Sequence, residues 1–149
     1  MFFKHLTSEG EEYKIMNDFN NLIGHAKIKI RKYDEGQFYG LKENPSHVFI
    51  SELRNFSKPD TPYHNKDLPY YKDIGTRFLQ IAQRRSDEAQ CMGNIKLIAK
   101  NESKPFYMNV IQMKEEFPMG SSLRKFNNPN MMYLPLEAKE PLSKLQGGL

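Results

Sequence analysis

Three groups of residues in this chain could do chemistry, and each points to a different process. Asp34 and Glu52 beside Arg54 supply two carboxylates and a cation, the set with which neighbouring strands can hold a magnesium ion near a scissile phosphate, as in a metal-dependent nuclease. His25 and His47 both open strand-like runs, where paired imidazoles can act as acid and base in phosphodiester cleavage, although no hydroxyl partner lies near either. The third group is a row in which Lys27, Lys29 and Arg31 alternate with apolar residues and Tyr33 closes the series. Three cations on one strand face repel one another unless they are solvated, paired or neutralised by a ligand. Cations that track a phosphate backbone beside an aromatic ring make a single-strand binding surface, where each stacked base contributes about 1–3 kcal/mol.

Other chemistries lack their residues. A single cysteine, Cys91, and His5, His25, His47 and His64 at wide intervals cannot offer four close ligands to a structural zinc ion. No metal is implied. Neither the Walker nor the Rossmann glycine pattern occurs, so the two glycine-rich phosphate cradles are absent and no cofactor is implied. Ser121-Ser122 and Cys91-Met92-Gly93 lack the strand–nucleophile–helix setting of a hydrolase elbow. Cys91 reads as a small apolar filler near a helix end.

A second basic segment resembles the first: Lys96 and Lys100 oppose Leu97 and Ala99, and Tyr107 follows Lys104. Two basic hairpins could line one groove. The reading that follows is a non-enzymatic protein that binds single-stranded nucleic acid through a basic and aromatic sheet face formed by Lys27, Lys29, Arg31, Tyr33, Lys96, Lys100, Lys104 and Tyr107. The same lysines could instead keep an exposed sheet soluble. A different class of function is a small protein-binding regulator, inhibitor or assembly subunit of viral or mobile-element type. It would meet its partner through helix two and the tail residues Met131, Met132, Tyr133 and Leu134, whose flexible and aromatic side chains suit a partner's groove. The nuclease is the third alternative.

The elements that would position these residues follow from periodicity and turn chemistry. Ser8 and Glu11 stand at capping-box spacing, and Ile15, Phe19, Leu22 and Ile23 recur at helical intervals before Gly24, which predicts a helix over 9–23. Alternation then predicts strands at His25–Tyr33, Gln37–Leu41 and His47–Arg54. The proline-rich stretch from Phe56 to Pro69 predicts a long loop, and long loops are often functional. Ile74, Phe78, Ile81 and Ala82 share a face of a second helix over 70–91. Two more strands are expected at Asn94–Lys100 and Pro105–Lys114, and residues 118–149, rich in Pro, Asn and Gly, should form an extended tail.

The 149 residues suit one domain, here 1–117 followed by the tail. The order predicts an α+β fold: a mainly antiparallel five-stranded sheet, or a small OB-like barrel, with two helices and the extended C-terminal tail. The net charge of +4 mildly favours a polyanionic partner. No apolar run approaches the roughly 20 residues of a membrane span, no signal-peptide pattern opens the chain, and a lone cysteine suits a reducing compartment. A cytoplasmic protein with no membrane partner is expected.

Overall fold

The computed structural model describes residues 2–7, 10–32, 38–39, 42–43 and 46–145. Strands β1 (Phe2–Thr7) and β2 (Gly10–Met16) form a hairpin, and β3 (Leu22–Arg31) pairs antiparallel with β2. Two short strands, β4 (Phe38–Tyr39) and β5 (Lys42–Glu43), form a separate two-stranded sheet among the described residues. Then come β6 (His47–Asn55), helix α1 (Ile74–Glu88), β7 (Ile95–Ile98), β8 (Lys114–Glu115), β9 (Met131–Tyr133) and helix α2 (Leu136–Lys144). The main sheet has seven strands in the order β1-β2-β3-β6-β7-β9-β8. All pairs in it are antiparallel except β6 with β7, which run parallel across the α1 crossover. The sheet is open, so the expected five-stranded or OB-like architecture is replaced by a larger, mixed one.

The helix predicted over 9–23 is a strand, a turn and the start of another strand. Glu11, Tyr13 and Ile15 are buried while Glu12, Lys14 and Met16 are less so, a period of two that outweighs the coincidental helical spacing of Ile15, Phe19 and Ile23. The turn has its own local chemistry: the Asn17 Oδ1 accepts the amides of Phe19 and Asn21, Asn20 takes a positive φ of 62°, and Phe19 is left 84% exposed. Such an Asx turn competes directly with helix. The strands expected at His25–Tyr33 and His47–Arg54 and the helix expected over 70–91 correspond to β3, β6 and α1.

Two further expectations are corrected. The strand expected at Pro105–Lys114 is mostly a wide helical turn, Phe106–Ile111, closed by Gln112 in a left-handed conformation. Pro105, at φ −57°, already holds a helical angle at its entry. The expected extended tail instead contributes β9 and α2. Met132 of β9 pairs with Leu97 on one side and Glu115 on the other, and Leu134 N–H donates to the Ile95 carbonyl. Behind β9, α2 docks on α1, where Gln80 Nε2 donates to the Leu142 and Leu145 carbonyls and Gln83 Nε2 donates to that of Lys139.

The core lies between α1 and one face of the sheet, where Ala26, Ile28, Ile50 and Leu97 meet Ile74, Phe78, Leu79 and Ala82. Gly24 permits this approach: a Cβ there would stand 2.7 Å from Ile74 Cγ2 and 2.8 Å from the Phe78 ring. The opposite face carries Lys14, Lys27 and Lys29, all exposed. Among the described residues, no helix is long and apolar enough to cross a membrane.

Candidate active site

The site begins with a fault in β6. Lys27 pairs with Glu52 and Ile28 pairs with Ile50, so Ser51 is an extra residue, a β-bulge. Before the bulge, Val48 N–H donates to the carbonyl of Asn94, the residue just ahead of β7; after it, Phe56 N–H donates back to the Ile23 carbonyl on β3. Alternation from Phe56 places the Leu53 amide and carbonyl on the β7 side. Yet β7 follows β6 only through Val48–Ile95, Phe49–Lys96 and Ile50–Leu97. Beyond these three pairs the strands part, and the Leu53 edge faces a cleft of about 180 Å³.

The loop after β6 brings a helix start to the head of this cleft. Asn55 Nδ2 donates to the Tyr71 carbonyl, and Tyr71 N–H donates to Ser57 Oγ, which in turn donates to Asn55 Oδ1. Ser57 is fully buried, so this knot ties the two ends of the loop and delivers α1 beside the end of β6. Asp73, ahead of α1, has a left-handed φ of 66° and its side chain caps no amide. Among the described residues, the amides of Ile74, Gly75 and Thr76 find no acceptor, and a helix start of this kind attracts anions. Lys72 and Arg77 flank it.

The far wall comes from Leu97, Ile98, Lys100, Ser103 and Tyr107. Phe106 anchors it: a Cβ on Gly75 would stand 3.4 Å from the Phe106 ring, so the absence of a side chain there lets the helical turn press against the start of α1. Its neighbour Tyr107 is thereby held in the cleft, 8% exposed. Burial, helped by the nearby Tyr63, pushes the Tyr107 phenol up to about 12. Among the described residues, nothing hydrogen-bonds its hydroxyl. Tyr63 stands at the mouth, with the Arg54 guanidinium 5.1 Å and the Lys100 ammonium 5.8 Å from its ring centre.

Glu52 forms the rim on the open face. Its carboxylate accepts from Arg54 at 2.7 Å, lies 3.1 Å from His25 Nδ1 and is 3.9 Å from the Lys27 ammonium. A partly buried carboxylate and a phenol that burial keeps protonated, lining one cleft, are a pair with opposite proton tasks.

The sequence-derived surfaces are placed differently. Lys27 and Lys29 are exposed and Arg31 stacks on Phe49, 3.9 Å from its ring centre; Tyr33 and Asp34 lie outside the described residues. Lys96 is buried and paired with Glu116, Lys104 is 3.9 Å from Glu115, and Lys100 and Tyr107 both reach the cleft. The two basic segments therefore do not form one groove. His25 and His47 sit at opposite ends of the β3–β6 ladder, against Arg54 and Arg31. Among the described residues no cluster could hold a metal ion. Met132 and Leu134 are buried, with Met131 and Tyr133 half-buried beside them. Burial pushes the Cys91 thiol up, as for an inert core cysteine. Sequence reasoning missed Ser51, Leu53, Tyr63 and the start of α1; a strand followed by a proline-rich loop and a helix with glycine as its second residue was the available signal.

No family model and no curated protein sequence matches the chain. Solved structures do. The KacTA–DNA complex is 15% identical with a TM-score of 0.58, covering 91% of this chain and 74% of that one. A tyrosine-to-phenylalanine mutant of the AtaT toxin, bound to the C-terminus of the antitoxin AtaR and to acetyl-CoA, is 12% identical with a TM-score of 0.54, covering 91% and 73%. The histone acetyltransferase HPA2 and related acetyltransferase from Corynebacterium glutamicum is 12% identical with a TM-score of 0.50, covering 86% and 65%. The chain thus has the architecture of the GNAT acetyltransferase fold. This overturns the reading of a non-enzymatic nucleic-acid binder, because the neighbours that share this sheet include a named acetyltransferase and a toxin solved with acetyl-CoA; the neighbours solved in complexes with DNA do not restore it.

Proposed function

We propose that the protein transfers an acetyl group from acetyl-CoA to an amine at the β6–β7 cleft. The observation that carries this reading is the parting of a parallel strand pair beside a helix start with unpaired amides, on a fold that one neighbour shares while bound to acetyl-CoA. The free Leu53 edge suits an extended, amide-bearing arm, which can add to it as a strand does. The amides of Ile74, Gly75 and Thr76, with Lys72 and Arg77, suit a pyrophosphate. In the reaction the amine nitrogen bonds to the thioester carbon and the carbon–sulfur bond breaks. The departing sulfur takes the proton of Tyr107, which burial keeps protonated; the amine gives its proton to Glu52, and solvent restores both groups. A protein partner of the antitoxin kind belongs to the same proposal, since AtaT is solved with one.

Calorimetric titration with acetyl-CoA tests the reading. Saturable binding, lost when acetyl-CoA is replaced by a free nucleoside, is expected. Absence of heat and of thermal stabilisation at about 1 mM acetyl-CoA, where a site of that affinity would be half filled, overturns it.

A further inference from the structure

On the open face of the sheet, three titratable side chains from three strands stand in line. The His25 ring of β3 lies between Glu12 of β2 and Glu52 of β6, with Nε2 2.5 Å from Glu12 Oε1 and Nδ1 3.1 Å from Glu52 Oε2. A neutral imidazole has one N–H and one lone pair, so it can donate to only one of two ionised carboxylates; an imidazolium donates to both. The charged and titratable groups facing the line are His5 of β1, directly across from Glu12 in the ladder, Lys14 of β2, 4.0 Å from Glu12, Lys27 of β3, 3.9 Å from Glu52, and Arg54 of β6, 2.7 Å from Glu52. The His25 side chain is only 11% exposed, and its hydrogen bond holds the Glu12 carboxyl below the usual carboxylate range.

The geometry of Glu52 explains what the line can do. Glu52 and Arg54 are two residues apart on one strand, so their ion pair moves as a unit and leaves the carboxylate free to swing about its own stem. An anchor on the neighbouring strand removes that freedom, and His25 is one. We infer that His25 is a positioning residue: bridging Glu12 and Glu52 as an imidazolium, it fixes the Glu52 carboxylate at the cleft, and transfer of the amine's proton depends on the charge of this ring. The inference rests on the acetyl-transfer reading for its kinetic consequence; the bridge itself does not.

The test uses the whole chain and two readouts. By NMR of protein carrying ¹⁵N-labelled histidine, the His25 ring should pass from two N–H groups to one at a lower pH in folded Glu12→Gln than in the unchanged protein. With acetyl-CoA and an amine acceptor, kcat should fall on the alkaline side over the same pH range as the NMR transition. Glu12→Gln should shift both together. His25→Gln, which keeps a donor but not the charge, should lower kcat about 10- to 100-fold, the loss expected from a misplaced reacting group, and leave the KM for acetyl-CoA unchanged. An NMR transition unmoved by Glu12→Gln in a folded protein overturns the bridge whether or not the chain is active. An NMR shift with an unmoved kcat profile, or a His25→Gln variant of normal kcat, overturns the positioning role. If acetyl-CoA binds but nothing is transferred, that role also falls, while calorimetry still scores the binding reading separately.

Discussion

The two edges of β6 are built from the same nine residues and do opposite things. Toward β3 the strand is paired from His47 to Asn55, with one bulge; toward β7 it is paired for three residues and then released. The closed edge stands over Phe78, Leu79 and Ala82 of α1, where burial of apolar surface supplies stability at roughly 25 cal/mol per Å². The open edge leaves backbone groups free, which is tolerable only where water or a ligand can reach them. One strand thus divides the molecule into a half that holds the fold and a half that can hold a substrate, and substitutions should separate the two.

The largest effect should come from the closed half. Phe78 is 2% exposed, and Phe78→Ala should cost about 3–5 kcal/mol through lost burial and the cavity left behind. Denaturant melts measure this; a loss below about 1 kcal/mol would mean that the closed half does not depend on α1 packing. In the open half, Tyr107→Phe should reverse the pattern. Acetyl transfer should drop at least about 100-fold, the low end for a lost general acid, with the melting midpoint and acetyl-CoA affinity nearly unchanged. A fully active variant would remove Tyr107 from the reaction and leave the comparison without its functional side.

Gly24→Ala sharpens the contrast with one methyl group. The new Cβ must displace Ile74 Cγ2 and the Phe78 ring, both closer than 3 Å, so overpacking of about 1–3 kcal/mol is expected. Ser51→Ala, at the exposed bulge, gives up only a 3.3 Å hydrogen bond to the Lys27 carbonyl and should change stability by less than about 0.5 kcal/mol. Equal losses in parallel melts would show that the bulge is as tightly held as the ladder.

The closed half was also the legible half. Ala26, Ile28 and Ile30 alternate cleanly enough to give β3, and Ile74, Phe78, Ile81 and Ala82 give α1, because burial on one face imposes a period. The tail was misread since β9 has three residues and β8 two, too short for any period, and Met132 is buried only because strands distant in sequence close around it. The cleft was illegible for a related reason. Tyr107 was visible as an aromatic near lysines, but its burial depends on Phe106 meeting Gly75, a contact across more than 30 residues that leaves no local pattern. The bulge at Ser51 is equally silent, being a relation between two strands. The early hairpin was misread for the opposite reason: the spacing of Ile15, Phe19 and Ile23 was present, and the Asn17 turn was the stronger local signal.

The last predicted effect lies at the far end of the closed half and carries a pH sign. Glu11 ties β2 to α1: Arg85 Nε donates to both carboxylate oxygens at 2.9 Å, the Tyr13 hydroxyl donates to Oε1, and Lys4 stands 3.3 Å away. Burial pushes the Glu11 carboxyl up, but the bonds from Arg85, Tyr13 and Lys4 outweigh it and hold the group below its ordinary value of 4.5. A carboxyl depressed in the folded state contributes stability that is fully present above its unfolded value and is lost as pH falls through its folded one. Glu11→Gln should therefore cost about 1–1.5 kcal/mol at pH 7, the scale of a charged hydrogen bond partly kept by the amide. The deficit should persist down to about pH 5 and close below 4.5 as the unchanged protein itself takes up the proton. Melts of both proteins from pH 7 to pH 3 measure the gap. A gap that stays constant across this range would mean that shape and not charge joins β2 to α1, and a gap that widens on acidification would reverse the sign assigned to Glu11.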